Sequence, residues 1–238
     1  MNNAHLLEKI ITYFQTRSDV YAEAFARHIM ISAICVGIAC VVGIPLGIAC
    51  AKNRRARVFI TGLFSTLRII PSLAVLFICM PIFGIGLAPA LVALSFLAIP
   101  PVLINTTQAF ASIPAPIIET AEAMGMTKGM TLTRVKFPLA MPLILTGVKT
   151  ATIEVIASAT LAAYIGAGGF GNLIFTGLGL LRPDLLIIGG ASVAALSIVA
   201  DTLLSKLERR IVRYRDIEVK PLPSGPVYGH AAGAMEAA

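Results

Sequence analysis

From Ile29 to Ala51 the chain runs for more than twenty residues without a charged side chain. A helix needs about 20 apolar residues to cross the hydrocarbon of a bilayer, and in hydrocarbon every backbone N–H and C=O must be satisfied within the segment. Four further stretches meet the same requirement: Phe59–Phe83, Leu87–Phe110, Leu139–Ala163 and Asp184–Leu207. A soluble chain carries about a quarter of its residues charged. Here 13% are charged and 57% hydrophobic, too little polar surface to cover so much apolar area in water. The expectation is an all-α membrane protein of five transmembrane helices. Gly43, Pro45, Pro71, Pro100 and Pro101 fall inside these stretches, where neighbouring helices tolerate them.

The basic residues cluster at the ends of the apolar runs. Lys52, Arg54, Arg55 and Arg57 separate spans one and two, and Lys128, Arg134 and Lys136 separate spans three and four. Lys206, Arg209, Arg210, Arg213 and Arg215 follow span five. The loop around Gly84 has no charge, and the stretch from Tyr164 to Pro183 has only Arg182. Positive charge marks the cytoplasmic side, which predicts the N-terminus outside and the C-terminus inside. The net charge of +7 is thus a topology signal rather than a nucleic-acid surface, because no aromatic-interleaved basic patch exists. The four cysteines, Cys35, Cys40, Cys50 and Cys79, all lie in apolar runs and read as small buried hydrophobes.

Residues 1–27 carry Glu8, Lys9, Arg17, Asp19, Glu23 and Arg27 ahead of the first apolar run, unlike a cleavable signal peptide. Leu6, Leu7, Ile10, Ile11 and Phe14 recur at helical spacing, which predicts an amphipathic outside helix lying in the interface, with a specific docking role as the alternative. The expected membrane domain covers residues 28–216. Residues 217–238, rich in Pro, Gly and Ala, are expected to be disordered.

Between spans three and four, residues 111–138 are more than a connector. Ile117, Ile118, Ala121 and Met124 alternate with Glu119 and Glu122 as in a short amphipathic helix. Pro114 and Pro116 suit its first turn, Gly125 its end, and Thr127 the cap of a second short helix before Pro138 opens span four. The run Glu119-Thr120-Ala121, Gly125, Val135, Phe137-Pro138 resembles the cytoplasmic signature of ATP-binding-cassette importer permeases: Glu-Ala-Ala, glycine four residues on, then a branched residue, a spacer and Leu-Pro. Thr120, Val135 and Phe137 are mild departures at matching spacing. By this resemblance the loop is the coupling helix that sits in a groove of the ATPase, with Glu119 as polar anchor, Ala121 as close-packing residue and Gly125 as turn.

The resemblance covers roughly Ile29 to Arg215 and is similar in detail to the glycine betaine, choline and carnitine branch. Its residues here are Gly43-Ile44-Pro45-Leu46-Gly47, Ile70-Pro71-Ser72-Leu73-Ala74, Phe83-Gly84-Ile85-Gly86, Asn105-Thr106 and Ala159-Thr160-Leu161-Ala162-Ala163-Tyr164-Ile165-Gly166-Ala167-Gly168-Gly169. Ile104 stands where a basic residue is expected before the Asn-Thr pair. The implied architecture is that of a type I importer permease. The implied partners are an ATP-binding-cassette ATPase subunit, a second permease subunit (the same or a paralogue), an extracytoplasmic substrate-binding protein and membrane lipid. No nucleic acid and no cofactor are expected in this chain.

Gly166-Ala167-Gly168-Gly169-Phe170-Gly171 fits GxGxxG, but it follows a membrane span rather than a strand, so it reads as a flexible or re-entrant turn. No GxxxxGK[ST] occurs, which places ATP hydrolysis in another polypeptide. Arg68, Lys149, Glu154 and Asp201 lie within spans. Charges there face a bundle interior or snorkel to the interface. Arg68 and Lys149 read as snorkelling, Glu154 as a pore-lining or subunit-interface carboxylate, and Asp201 as the partner of a basic neighbour. Scattered His5, His28 and His230 offer no metal site, and no catalytic constellation emerges. Candidate pathway residues are Pro71, Ser72, Asn105, Thr106, Glu154 and Thr160. The expected function is the permease of an ATP-driven osmoprotectant importer. An amino-acid importer of the methionine type and a secondary transporter subunit are the alternatives, and the latter leaves the amphipathic inside loop unexplained.

Overall fold

A computed structural model describes residues 3–212, and every element among them is helical. In order they are α1 (Asn3–Thr16), α2 (Ser18–Ala51), α3 (Arg54–Leu67), α4 (Ser72–Phe83), α5 (Leu87–Ala111) and α6 (Ala115–Ala123). Next, α7 (Lys128–Met130), a π-helical turn (Thr131–Lys136), α8 (Phe137–Ala162) and a final 3-10 turn follow one another as the continuous helix Lys128–Ile165. The last two elements are α9 (Phe170–Gly179) and α10 (Pro183–Val212). Among the described residues four helices are long and apolar enough to cross a membrane, or up to five if the bent pair α3–α4 is one span. The expected tail 217–238 lies outside the described residues.

The centre of the fold is α2, α5 and α8. Lipid tails are as apolar as leucine, so helices associate in a membrane by close packing at small residues rather than by hydrophobic expulsion from water. Gly43 and Gly47 of α2 lie four residues apart on one face. A Cβ on Gly43 would sit 3.1 Å from the Val102 side chain, and one on Gly47 2.7 Å from Thr106. The matching order of these contacts makes α2 and α5 parallel. On the other side of α5, a Cβ on Gly147 of α8 would sit 2.7 Å from Asn105 and 2.8 Å from the Pro101 carbonyl. Around these contacts Ile31, Cys35, Leu94, Ala98, Ala151 and Val155 form the buried core.

The second span departs from a straight helix. Arg54–Leu67 and Ser72–Phe83 meet at 90°. Pro71 has no N–H to donate and drives the residue before it out of the α region, so the chain breaks there and restarts, with the Ala74 and Val75 N–H groups turning to the Pro71 carbonyl at 2.9 and 3.2 Å. No residue of α3 is buried in this chain.

The N-terminal segment also departs from the expected boundary at residue 27. Residues from Ser18 onward belong to α2, and only Asn3–Thr16 form a separate helix. That helix docks: Tyr13 is buried with Phe170, Leu173, Leu185 and Ile188, with Ile10 packed against them. Leu7, Ile11 and Phe14 remain exposed along its other edge. The aromatic ring of Tyr13 packs between α9 and α10.

The glycine-rich turn after α8 is likewise clasped by α2. Gly166, Gly168 and Gly169 have φ of 79°, 88° and 83°, a region that L side chains enter only with strain. Arg27 Nε donates to the Ala167 carbonyl at 3.2 Å, and buried His28 shares a hydrogen bond of 3.0 Å with the Ile156 carbonyl. A Cβ on Gly171, the first turn of α9, would lie 1.9 Å from the Thr160 carbonyl oxygen. Gly171→Ala should therefore cost well over the ~1–3 kcal/mol of ordinary overpacking. Gly190→Ala, with nothing within 4 Å of its Cβ, should be near neutral. Thermal unfolding of the two variants in detergent, followed by size exclusion, checks the contrast.

Candidate functional site

Two regions carry polar chemistry. The first is a cleft of about 290 Å³ at the break between α3 and α4. Arg68, at the end of α3, forms an ion pair with Glu154 of α8, the two side chains being 40% and 38% exposed. Pro71, Ser72, Leu94, Leu97 and Ser158 line the rest. The 90° break does the positioning: it turns Arg68 away from a helix axis and towards α8, where a straight span would have kept it in line. Paired with a carboxylate, the guanidinium is carried at lower cost than it would be in bare hydrocarbon.

Lys149 is paired as well. Its ammonium lies 2.9 Å from Asp201 and donates to Ser205 Oγ at 2.8 Å, tying α8 to α10. Asp201 thus has the basic partner anticipated for it. What the sequence reading lacks is pairing rather than position: opposite charges at matching depth in separate spans are the available signal.

The six pathway candidates divide. Pro71, Ser72 and Glu154 come together in the cleft. Asn105, Thr106 and Thr160 do not line it. Asn105 Nδ2 donates to the Pro101 carbonyl of its own helix at 2.8 Å, and Thr106 is fully buried against Gly47. Neighbouring Thr107 donates to the Leu103 carbonyl at 2.8 Å. Thr160 Oγ donates to the Ala157 carbonyl at 2.7 Å, and its own carbonyl faces Gly171. Asn105 and Thr106 pack at helix contacts with Gly147 and Gly47, while the Thr160 hydroxyl stays at an exposed position of α8.

The second region is the loop between α5 and α8. Helix α6 starts after Pro114 with Pro116 in its first turn. It ends in two bonds, Met126 N–H to the Ala121 carbonyl at 3.1 Å and Gly125 N–H to the Glu122 carbonyl at 2.9 Å. With Gly125 at φ 81°, this is the Schellman ending, in which a left-handed residue closes the last carbonyls of a helix. Ala121 is buried, while Glu119 and Thr120 are exposed and Thr120 Oγ donates to the Pro116 carbonyl at 2.8 Å. Thr127 then caps α7, accepting from Met130 N–H at 3.3 Å. The helix widens to a π turn over Thr131–Lys136 directly before Pro138, which cannot donate to the carbonyl four residues back and whose ring crowds it. Val135 and Phe137 are half-buried, Phe137 against Ala109, Ala140 and Ile144. Against the rest of the chain α6 packs chiefly on this π turn. Antiparallel pairing of α8 with α5 and α10 gathers this loop, Lys52–Arg57 and Lys206–Arg210 at one end of the bundle.

Residues 43–213 match the family described as "Binding-protein-dependent transport system inner membrane component". The chain belongs to this family. It is therefore a multi-pass inner-membrane protein and the permease subunit of a transporter whose ATPase activity lies in a separate subunit. Family membership implies an ATPase and a substrate-binding protein as partners.

The permease is 35% identical over 205 residues to the glycine betaine/carnitine/choline transport system permease protein of Bacillus subtilis (strain 168), covering 86% of this chain and 94% of that one. It is 37% identical over 205 residues, with the same coverage, to the carnitine transport permease protein of Listeria monocytogenes. To the osmoprotectant import permease protein of Salmonella typhimurium it is 37% identical over 187 residues, 78% of this chain and 79% of that one. Among solved structures, it superposes on a chain of the inward-facing MetNI methionine ABC transporter with a TM-score of 0.72 at 20% identity, covering 81% of this chain and 96% of that chain. A chain of an amino acid ABC transporter with histidines gives a TM-score of 0.68 at 18% identity, covering 84% and 97%. Those two likenesses establish the importer-permease fold.

Gly125 sits in open space, with nothing within 4 Å of the point a Cβ would occupy, so only its backbone conformation resists substitution. Gly125→Val should destabilise the permease by about 1–2 kcal/mol, whereas Gly125→Asn, which visits the left-handed region readily, should lose little. Thermal midpoints of the two purified variants distinguish conformational strain from a steric clash, which would penalise both.

Proposed function

We propose that this permease forms the pathway of an ATP-driven importer for small osmoprotectants of the glycine betaine, carnitine and choline class. The observation that carries the solute class is its identity of 35–37%, over nearly the full length of two permeases, to proteins named for those solutes. The fold likeness to methionine and amino-acid transporters rests on 18–20% identity and so favours no solute. With no Trp and 5 Tyr in the chain, an aromatic cage for a quaternary ammonium belongs to the separate binding protein.

In this reading the basic end of the bundle faces the cytoplasm, placing the N-terminus outside and the C-terminus inside. The loop carrying α6 is the coupling element. Exposed Glu119 meets the ATPase, buried Ala121 seats α6 on the π turn, and Gly125, Val135, Phe137 and Pro138 fix the path of the chain into α8. Closure of the ATPases pushes α6, and the push travels along α8 to Glu154. A second permease subunit, identical or paralogous, completes the pathway, and solute arrives from an extracytoplasmic binding protein. The free energy of ATP reaches the solute path only through contacts that differ between two states of this bundle.

Two experiments test the reading. Glu119→Arg should cut solute uptake by the reconstituted importer about tenfold or more, while the thermal midpoint of the permease moves within the ~0.5 kcal/mol usual for surface substitutions. Unchanged uptake removes α6 from coupling. Thermal stabilisation of the partner binding protein by betaine, carnitine or choline supports the solute class; stabilisation only by an amino acid sinks it and leaves the importer assignment standing.

A further inference from the structure

The Arg68–Glu154 cleft combines features that a purely structural ion pair does not need. The pair spans the break in the second membrane segment and lies half-open at a cleft rather than sealed in the core. The break also exposes the start of α4 to the cleft. Its first hydrogen-bonded N–H groups belong to Ala74 and Val75, so the N–H groups of Ser72 and Leu73 precede the helix's own ladder. In broken membrane helices, such half-helix N-termini attract the anionic group of a solute. Across the cleft half-buried Leu97 offers apolar contact, over buried Leu94 and Val155, and Ser158 a hydroxyl.

The charges are arranged as the negative image of a zwitterion. We propose that the cleft is a transit site for solutes bearing both a carboxylate and a quaternary ammonium, and that Arg68 is the residue distinguishing them from plain cations. The inference rests on the osmoprotectant reading and specifies its chemistry. While the cleft is empty the two side chains neutralise each other, which keeps the cost of two charges within a span tolerable. A carboxylate displaces Glu154 from Arg68, receiving the planar fork of the guanidinium and the field of the α4 N-terminus. The trimethylammonium, which has no N–H to donate, then lies against the released Glu154 carboxylate and the methyl groups of Leu97 by charge and contact alone. The exchange leaves the net charge of the cleft unchanged. A cation such as choline takes Glu154 as well but leaves Arg68 unpaired, so it binds more weakly. The volume, about 290 Å³, lies at the lower end of ligand pockets, as a small solute requires. Because the hold on the ammonium lacks hydrogen bonds, solute leaves readily, which suits passage rather than capture.

The test is equilibrium binding of radiolabelled carnitine and choline to the permease–ATPase complex in nanodiscs, without the binding protein, whose own selectivity would mask the site. Wild type should bind carnitine more tightly than choline. Arg68→Gln should weaken carnitine by about tenfold and leave choline unweakened, while Glu154→Gln should weaken both. Arg68→Lys, which keeps the charge and loses only the fork, should fall between. Choline binding by Arg68→Gln at the wild-type level guards against misreading a folding defect, which would weaken both solutes. Equal loss of both solutes in Arg68→Gln, or unchanged carnitine binding, overturns the proposal and leaves the pair a structural clamp. Robust carnitine uptake by the complete importer, with no binding to this complex, sinks the transit site alone. Failure of uptake for every quaternary-ammonium solute sinks the osmoprotectant reading with it.

Discussion

Everything in this bundle depends on three helix backbones approaching closely enough to exclude lipid without help from water. Gly43, Gly47 and Gly147 permit it, and the atoms that a Cβ at each would meet are backbone or branched side chains that cannot swing aside. Because α2, α5 and α8 are locked this way, the charged pairs of the membrane region lie at the surface of the locked core. There they act as attachments. Arg68–Glu154 ties the break of α3–α4 to α8, Lys149–Asp201 ties α10 to α8, and the Tyr21 hydroxyl bonded to Ser192 Oγ at 2.9 Å ties α2 to α10. In a low-dielectric surround such pairs fix register between helices, since each charge left alone is far costlier than each charge paired.

How much of this is legible in the sequence follows from what each signal measures. Hydropathy reports length and apolarity, so the span regions can be read from Ile29 to Leu207, as can the loop 111–138 with its Pro114 start, Gly125 stop and Thr127 cap. Hydropathy does not report direction, and the 90° turn at Pro71 hides inside a run that scores as one segment. Docking of α1 depends on Tyr13, a residue outside the Leu6, Leu7, Ile10, Ile11, Phe14 pattern, finding a gap between α9 and α10. For the pathway candidates, Pro71, Ser72 and Glu154 stand out by their chemical oddity within a span. Asn105 and Thr160 are equally odd, but polar side chains on a membrane helix also satisfy themselves on their own backbone, and spacing along the chain does not tell the two uses apart.

Arg68 is hard to value from the sequence for a related reason. Its separation from Glu154 along the chain is large, and neither residue belongs to a motif. Their pairing is created by the break, so it becomes readable only once the break is known. The glycine turn after α8 is the converse case. Its glycines are visible but their reason is not: Arg27 and His28 of α2 press on Gly168 and Gly169, and the Thr160 carbonyl on Gly171, leaving no room for side chains.

These attachments also bear on how a push at one end is felt at the other. The helix Lys128–Ile165 is continuous from the loop bearing α6, past the π turn, to Glu154 and the clasped glycine turn beyond it. A continuous hydrogen-bonded helix moves as a lever rather than dissipating displacement along its length. Its ladder is loosened at the π turn Thr131–Lys136 by Pro138 and interrupted again by Pro142 within α8, the two places where such a lever flexes. The point on α8 where the surrounding structure offers least resistance is the α3–α4 side, since α3 buries no residue in this chain and α4 buries only Val75 and Leu76. In the coupling proposed above, motion of α8 would meet the glycine contacts with α5 on one side and, beside the Arg68–Glu154 pair, the sparsely packed break on the other.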